Sequence, residues 1–222
     1  MKGTTKQIAV FLCFFLATAA MYANAEQEKS SSSDKARTSY AFGMIVGGDL
    51  LGAGMDIDFA AFLDGLQAAM EQKSTLITKD EAVALVQNAY IARLQKNEAA
   101  FLAQNAARPE VRTTESGLQY IVLTEGTGRK PTLDDTVFVR YEGTLTNGTV
   151  FDTSYQQEKP EEIALNSAIP GWVEALQLMN MGSKFQFYMP SSLAYGKDGI
   201  GEIIPPFSTL VFTIELVSIA GE

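Results

Sequence analysis

The spacing of apolar residues changes once along this chain, near Pro109. Before that point they recur at helical spacing. From about Thr114 they recur at every second position. A helix repeats every 3.6 residues and a strand every two, so no single element satisfies both patterns. The chain must divide into a helical part and a sheet part. Arg108-Pro109 sits at the change, and proline ends a helix because it has no amide proton and crowds the preceding turn.

The helical part covers residues 34–107. Its first helix carries Tyr40, Phe42, Met44, Ile45 and Val46, with Gly43 and Gly47 four apart on one face. Glycine within a helix costs about 1 kcal/mol relative to alanine, which is tolerable where another helix must come close. A second helix opens on Asp58 as N-cap. Its residues Phe59, Phe62, Leu63, Leu66, Ala69 and Met70 form an apolar stripe. A third opens with Thr78-Lys79-Asp80-Glu81, a capping box, and runs through Val83, Val86, Tyr90, Leu94 and Phe101. Three helices of this size make a thin core. Either they cap the next domain in a monomer, or two copies pack together and share one core.

Beyond the proline, Leu118–Leu123, Thr136–Tyr141, Ser183–Met189 and Thr209–Ile219 read as strands. Asn147-Gly148, between Tyr141–Leu145 and Val150-Phe151, marks a hairpin. Pro170-Gly171-Trp172 leads into a short helix with Trp172, Leu176 and Met179 on one side. Residues 108–222 are therefore expected to form an α+β domain, an antiparallel sheet with one covering helix.

The N-terminus reads as an address. Lys2 and Lys6 precede an apolar run from Ile8 to Ala20, and Ala23-Asn24-Ala25 supplies a cleavage site. The rival is a membrane anchor, but the run is shorter than the roughly 20 residues a spanning helix needs. A lipidated Cys13 is a second rival, yet that residue lies within the run rather than after it. Residues 1–25 are thus expected to be a signal peptide that sends the protein to the periplasm or cell envelope, followed by a flexible serine-rich leader over 26–33.

Composition narrows the chemistry. There is no histidine, which excludes histidine triads, bases and metal ligands. The single cysteine excludes an internal disulfide and a zinc–cysteine cluster. A net charge of −9 argues against binding a nucleic-acid backbone. Gly126-Thr127-Gly128-Arg129-Lys130 lacks the spacing of a phosphate loop and reads as a turn. Asn147-Gly148-Thr149 matches a glycosylation acceptor, but the hairpin already accounts for it. Asp134-Asp135 and Glu161-Glu162 read as solvated acids. No metal and no cofactor is implied.

What remains is a set of aromatics: Tyr141, Phe151, Trp172, Tyr195 and Phe212, with Ile169, Ile203 and Ile204. Aromatics at strand spacing usually form core. Two features point further. Asp152 directly follows Phe151, and Tyr195 lies in a Gly/Pro-rich stretch from Ala194 to Pro206 that should be loop. Loops around a concave apolar surface are where ligands bind. Unaided, these residues give an α+β domain with a candidate apolar pocket.

Val139-Arg140-Tyr141-Glu142-Gly143, Gly148-Thr149-Val150-Phe151-Asp152-Thr153-Ser154 and Ile169-Pro170-Gly171-Trp172 resemble FK506-binding-protein (FKBP) type peptidyl-prolyl cis-trans isomerases. So do Met181-Gly182-Ser183-Lys184, Pro190 with Ala194-Tyr195-Gly196, and Ile204-Pro205-Pro206 leading to Leu210-Val211-Phe212. The helical region, with Ser39-Tyr40-Ala41-Phe42-Gly43 and Asp58 to Leu66, resembles the dimerisation domain of exported bacterial FKBPs of the macrophage-infectivity-potentiator and FkpA-like group.

The resemblance implies a homodimer through residues 34–107 and an isomerase domain over 108–222. It implies a catalytic set of Trp172 as pocket floor, Tyr141, Phe151 and Phe212 as walls, and Asp152 and Tyr195 as polar groups, Tyr195 donating to a substrate carbonyl. Ile169, Ala168, Ile163, Ile203 and Ile204 would contact substrate. Partners would be proline-containing unfolded or partly folded proteins, with FK506-like macrolides as candidate ligands and chaperone activity alongside. Two stretches depart from the family pattern. Glu161-Glu162-Ile163-Ala164-Leu165 makes one side of the pocket less aromatic and more acidic, and Lys197–Glu202 has no histidine. The alternatives are a non-catalytic holdase or a host-binding surface module on the same fold.

Overall fold

The computed structural model describes residues 33–222. The expected signal peptide and nearly all of the serine-rich leader lie outside the described residues. The chain falls into two compact units, one ending at Ser74 and the other spanning Thr75–Glu222.

The first unit contains helices α1 (residues 33–53) and α2 (Phe59–Met70). Asp58 caps α2, its carboxylate accepting the Ala60 and Ala61 amides at 3.0 Å each. That local device is as the sequence suggests. No residue of α2 is buried. Tyr40, Phe42, Met44 and Ile45 of α1 are each more than 60% exposed. A Cβ placed on Gly43 or Gly47 would meet nothing within 4 Å. In a single chain these apolar stripes face solvent.

The second unit begins with α3 (Lys79–Ala106). Its capping box is formed: the Thr78 N–H donates to Glu81 at 2.8 Å and the Glu81 N–H to Thr78 Oγ1 at 3.3 Å. Polar pins hold its C-terminal half. Buried Asn105 donates to Gln119 at 2.8 Å, and Gln119 donates to the Leu102 carbonyl at 2.9 Å. Arg108 donates to Asn105 and to the Tyr188 hydroxyl at 2.9 and 3.0 Å.

The sheet comprises β1 (Arg112–Thr113), β2 (Gln119–Thr124), β3 (Thr136–Leu145), β4 (Val150–Thr153), β5 (Glu161–Ala164), β6 (Lys184–Met189) and β7 (Leu210–Ile219). All pairings are antiparallel, in the order β1-β2-β6-β7-β3-β4. On the free edge of β3, β5 pairs with Thr136–Val139 and β4 with Glu142–Thr144. Strand β5 has no counterpart in the sequence reading. Two adjacent acids weaken its strand signal, but an edge position tolerates charge.

Between β5 and β6 lies α4 (Pro170–Leu178), with Pro170 in the first turn, where its missing N–H costs nothing. It buries Gly171, Trp172, Ala175 and Leu176. A Cβ on Gly171 would run into the Met189 side chain, so glycine lets the helix lie close to β6. The fully buried Leu176, Met179, Phe187, Ile214 and Leu216 belong to the core between this helix and the sheet.

The hairpin between β3 and β4 forms at Asn147-Gly148, but not as a two-residue turn. The Gly148 N–H donates to the Leu145 carbonyl and the Leu145 N–H to the Thr149 carbonyl, both at 2.9 Å. Only Gly148, at φ +86°, takes a positive φ there. This is a three-residue loop with glycine in the left-handed position.

Candidate active site

Four elements bring aromatic rings to one place. Tyr141 comes from β3, Phe151 from β4, Trp172 from α4 and Phe212 from β7. Trp172 is 6% exposed and lies at the bottom of the group. The Tyr141 ring meets it edge-on at 5.0 Å and 88°, and the Phe212 ring at 5.3 Å and 83°. Phe151 meets Phe212 edge-on at 5.5 Å and 89°. Edge-to-face contacts suit the charge distribution of aromatic rings and fix their angles.

Gly143 makes this geometry possible. It sits inside β3, where a Cβ would lie 2.7 Å from Cζ of Phe151 and 2.8 Å from Cε1 of Phe212. The absent side chain is the space those two rings occupy. A glycine within a strand is the sequence signal for such an approach.

The polar part centres on Tyr141. Its hydroxyl donates to Asp152 Oδ2 at 2.7 Å. The backbone of Tyr141 is clamped by residues that follow β4. Its N–H donates to Ser154 Oγ at 2.8 Å, and its carbonyl accepts the Ser154 N–H at 2.9 Å and Thr153 Oγ1 at 3.1 Å. Ser154 is fully buried and was missed, because a serine after a strand carries no distinctive pattern.

Burial, then the Asp152 carboxylate that accepts its hydrogen bond, pushes the Tyr141 phenol above its usual range, with Glu161 and Tyr195 adding smaller effects. Burial, and then the Asp152 charge, raises the Tyr195 phenol too. Both phenols therefore keep their protons at neutral pH. With no histidine in the chain, kcat/KM is expected to stay flat between about pH 6 and 9. The raised Tyr141 phenol has a second consequence. Its contribution to stability is complete below the unfolded tyrosine value of about 10 and is lost as pH rises above it. A pH–rate profile with a neutral inflection of tenfold or more would contradict this.

Tyr195 follows the turn Ser191–Leu193 in a loop folded on itself. The Gly199 N–H donates to its carbonyl at 3.1 Å, and the Phe207 N–H donates to the Gly196 carbonyl at 2.9 Å. Gly199 has φ +62°, and a Cβ there would strike the Ile204 carbonyl. Among the described residues nothing hydrogen-bonds the Tyr195 hydroxyl. Ile169 caps the start of α4 and, with Ala168 and Ile163, packs half-buried against the aromatic core. Ile204 is buried in that core at 3% exposure, whereas Ile203 is 60% exposed. Of those two isoleucines, only Ile203 presents its side chain to solvent.

The chain matches two family models. One, described as FKBP-type peptidyl-prolyl cis-trans isomerase, covers residues 127–217. The other, described as the domain amino terminal to FKBP-type peptidyl-prolyl isomerase, covers residues 35–122. Among curated proteins, the FKBP-type 22 kDa peptidyl-prolyl cis-trans isomerase of Escherichia coli is 39% identical, covering 83% of this chain and 95% of its own length. The outer membrane protein MIP of Legionella longbeachae is 36% identical, covering 86% of this chain and 88% of its own. Among solved structures, that of FkpA from Escherichia coli superposes with a TM-score of 0.54 at 32% identity, over 82% of this chain and 95% of that one. The relatives match nearly end to end, across both the helical and the sheet regions, so the chain belongs to the FKBP-type peptidyl-prolyl cis-trans isomerase family and carries that family's isomerase activity.

Proposed function

We propose that this isomerase holds its substrate proline in the cleft of Tyr141, Phe151, Trp172 and Phe212, and that its clients are exported proteins. The observation that carries the assignment is the pair of rings standing edge-on to Trp172 at 5.0 and 5.3 Å. Together with Trp172 they give a proline ring an apolar floor and walls to pack against.

The barrier to turning an X-Pro bond is about 18–20 kcal/mol and comes from amide resonance. The planar amide carries more charge separation than the twisted one, so water favours the planar state. An apolar cleft withdraws that advantage and binds the twisted state better, which is what lowers the barrier. No proton leaves carbon and no covalent intermediate forms. Asp152 fixes the Tyr141 ring through its hydroxyl. Tyr195, with its proton retained and its hydroxyl unengaged, donates to the substrate carbonyl. Ile169, Ala168 and Ile163 extend the walls, and Ile203 lines the rim.

Two copies join through α1 and α2, whose exposed apolar stripes support a shared core. The dimer carries two isomerase units, which raises avidity for long clients and supports chaperone activity. Cleavage after Ala25 delivers the protein to the periplasm or cell envelope. FK506-like macrolides fit the same cleft. The test removes residues 26–74. The fragment 75–222 is expected to be a monomer by light scattering, with turnover of a short X-Pro peptide within about twofold of the mature chain. A dimeric fragment overturns the interface, and a folded fragment without turnover overturns the placement of the cleft.

A further inference from the structure

Helix α3 and the aromatic cleft lie on opposite faces of the sheet. Successive residues of a strand point to opposite faces. On β6, Tyr188 meets the α3 side, its ring 6.2 Å from that of Phe101 and its hydroxyl accepting from Arg108 at 3.0 Å. Its neighbour Phe187 pairs with Phe212 and points the other way, into the core that holds Trp172. One contact nevertheless joins α3 to the loop that carries Tyr195, round the end of β6. Glu98 makes it.

Strand β6 ends at Met189, and the chain passes through Pro190 into the turn Ser191–Leu193. The first N–H groups of such a turn have no partner within it. No side chain of the turn or of Pro190 caps it. Ser191 is 5% exposed, so an unpaired N–H there would be costly. Glu98, half-buried on α3, supplies the missing acceptor. One of its oxygens accepts the Ser191 N–H at 2.6 Å and the other the Ser191 hydroxyl at 3.0 Å. Hydrogen bonds to a carboxylate are stronger than neutral ones. Among the described residues no lysine or arginine forms an ion pair with Glu98.

The far side of Ser191 grips Tyr195. The Ser191 carbonyl accepts the Ala194 N–H at 2.9 Å and the Gly196 N–H at 2.8 Å. Those two residues bracket Tyr195. The polar pins on the C-terminal end of α3 therefore also fix where this loop sits. The Tyr195 hydroxyl makes no hydrogen bond among the described residues, so its backbone and the packing of its ring against the core set its place.

We propose that Glu98 is a positioning residue for the isomerase reaction, holding the Tyr195 hydroxyl where it meets the substrate carbonyl. It touches no substrate and acts through Ser191. The inference rests on Tyr195 being that donor. A donor displaced by about 1 Å loses much of its effect on a transition state.

The test is a double-mutant cycle on the full mature chain, reading kcat/KM for a short X-Pro peptide below the thermal transition of every variant. Tyr195→Phe is expected to lower it about tenfold. Glu98→Ala should lower it about fivefold with Tyr195 in place, and not at all in the Tyr195→Phe background. A tether that only supported the fold would cost the same factor in both. Glu98→Gln keeps an acceptor for the Ser191 N–H and should stay within about twofold of wild type. Ser191→Ala loses only the 3.0 Å bond. It should cost about twofold with Tyr195 in place and nothing in the Tyr195→Phe background, which decides the cycle even where Glu98→Ala does not fold. Wild-type turnover in a folded Glu98→Ala, or an undiminished loss from either substitution in the Tyr195→Phe background, overturns the inference alone. Wild-type turnover in Tyr195→Phe overturns the donor role itself, and the inference with it.

Discussion

Replacing Asp152 with alanine is expected to lower kcat/KM for a short X-Pro peptide by about tenfold to a hundredfold while leaving the fold intact. Asp152 is exposed, so its removal opens no cavity. What it loses is the 2.7 Å hydrogen bond from the Tyr141 hydroxyl. A hydrogen bond to a charged group contributes about 1.5–3 kcal/mol net, which corresponds to that range of rates if the bond positions the ring for the transition state. Tyr141→Phe removes the same bond from the other side. The two substitutions should therefore be non-additive, the double variant being little worse than either single one. Wild-type turnover in Asp152→Ala, measured alongside an unchanged thermal transition, would remove the pair from the reaction.

Gly143→Ala is expected to impair both stability and turnover, although it adds one carbon to an exchangeable-looking position. The new Cβ would lie within 3 Å of both the Phe151 and Phe212 rings. Moving either ring breaks the edge-on contact they make at 5.5 Å. Overpacking of this kind costs about 1–3 kcal/mol. Chemical denaturation should show that loss. Turnover at a temperature where the variant is folded should fall as well, because the displaced rings are the walls of the cleft. A variant with wild-type stability and turnover would mean that the rings are free to shift.

Local devices were legible in the sequence. Asp58 and the Thr78–Glu81 box act on their own backbone neighbours, so a few residues suffice to see them. The change of periodicity near Pro109 gave the helical and sheet regions for the same reason. The convergence of Tyr141, Phe151, Trp172 and Phe212 was not legible from spacing, because it depends on the order β6-β7-β3-β4 and on α4 crossing that sheet. The residues read together as a candidate apolar pocket, but only the family resemblance implied a floor and walls for each of them. Strand β5 was missed because edge pairing with β3 outweighs its acidic composition. Ser154 owes its significance to what lies across from it, and a single sequence carries no trace of that, whereas Gly143 is marked only by being a glycine inside a strand.

Trp172 is the only tryptophan in the chain and forms the floor of the cleft, so its fluorescence reports directly on whether proline binds there. A short X-Pro peptide should be titrated into the mature protein while emission and turnover are followed together. A saturable change in Trp172 emission, half complete at the peptide concentration that half-saturates turnover, is the expected result. Saturable turnover with no change in emission would place the isomerisation elsewhere on the molecule.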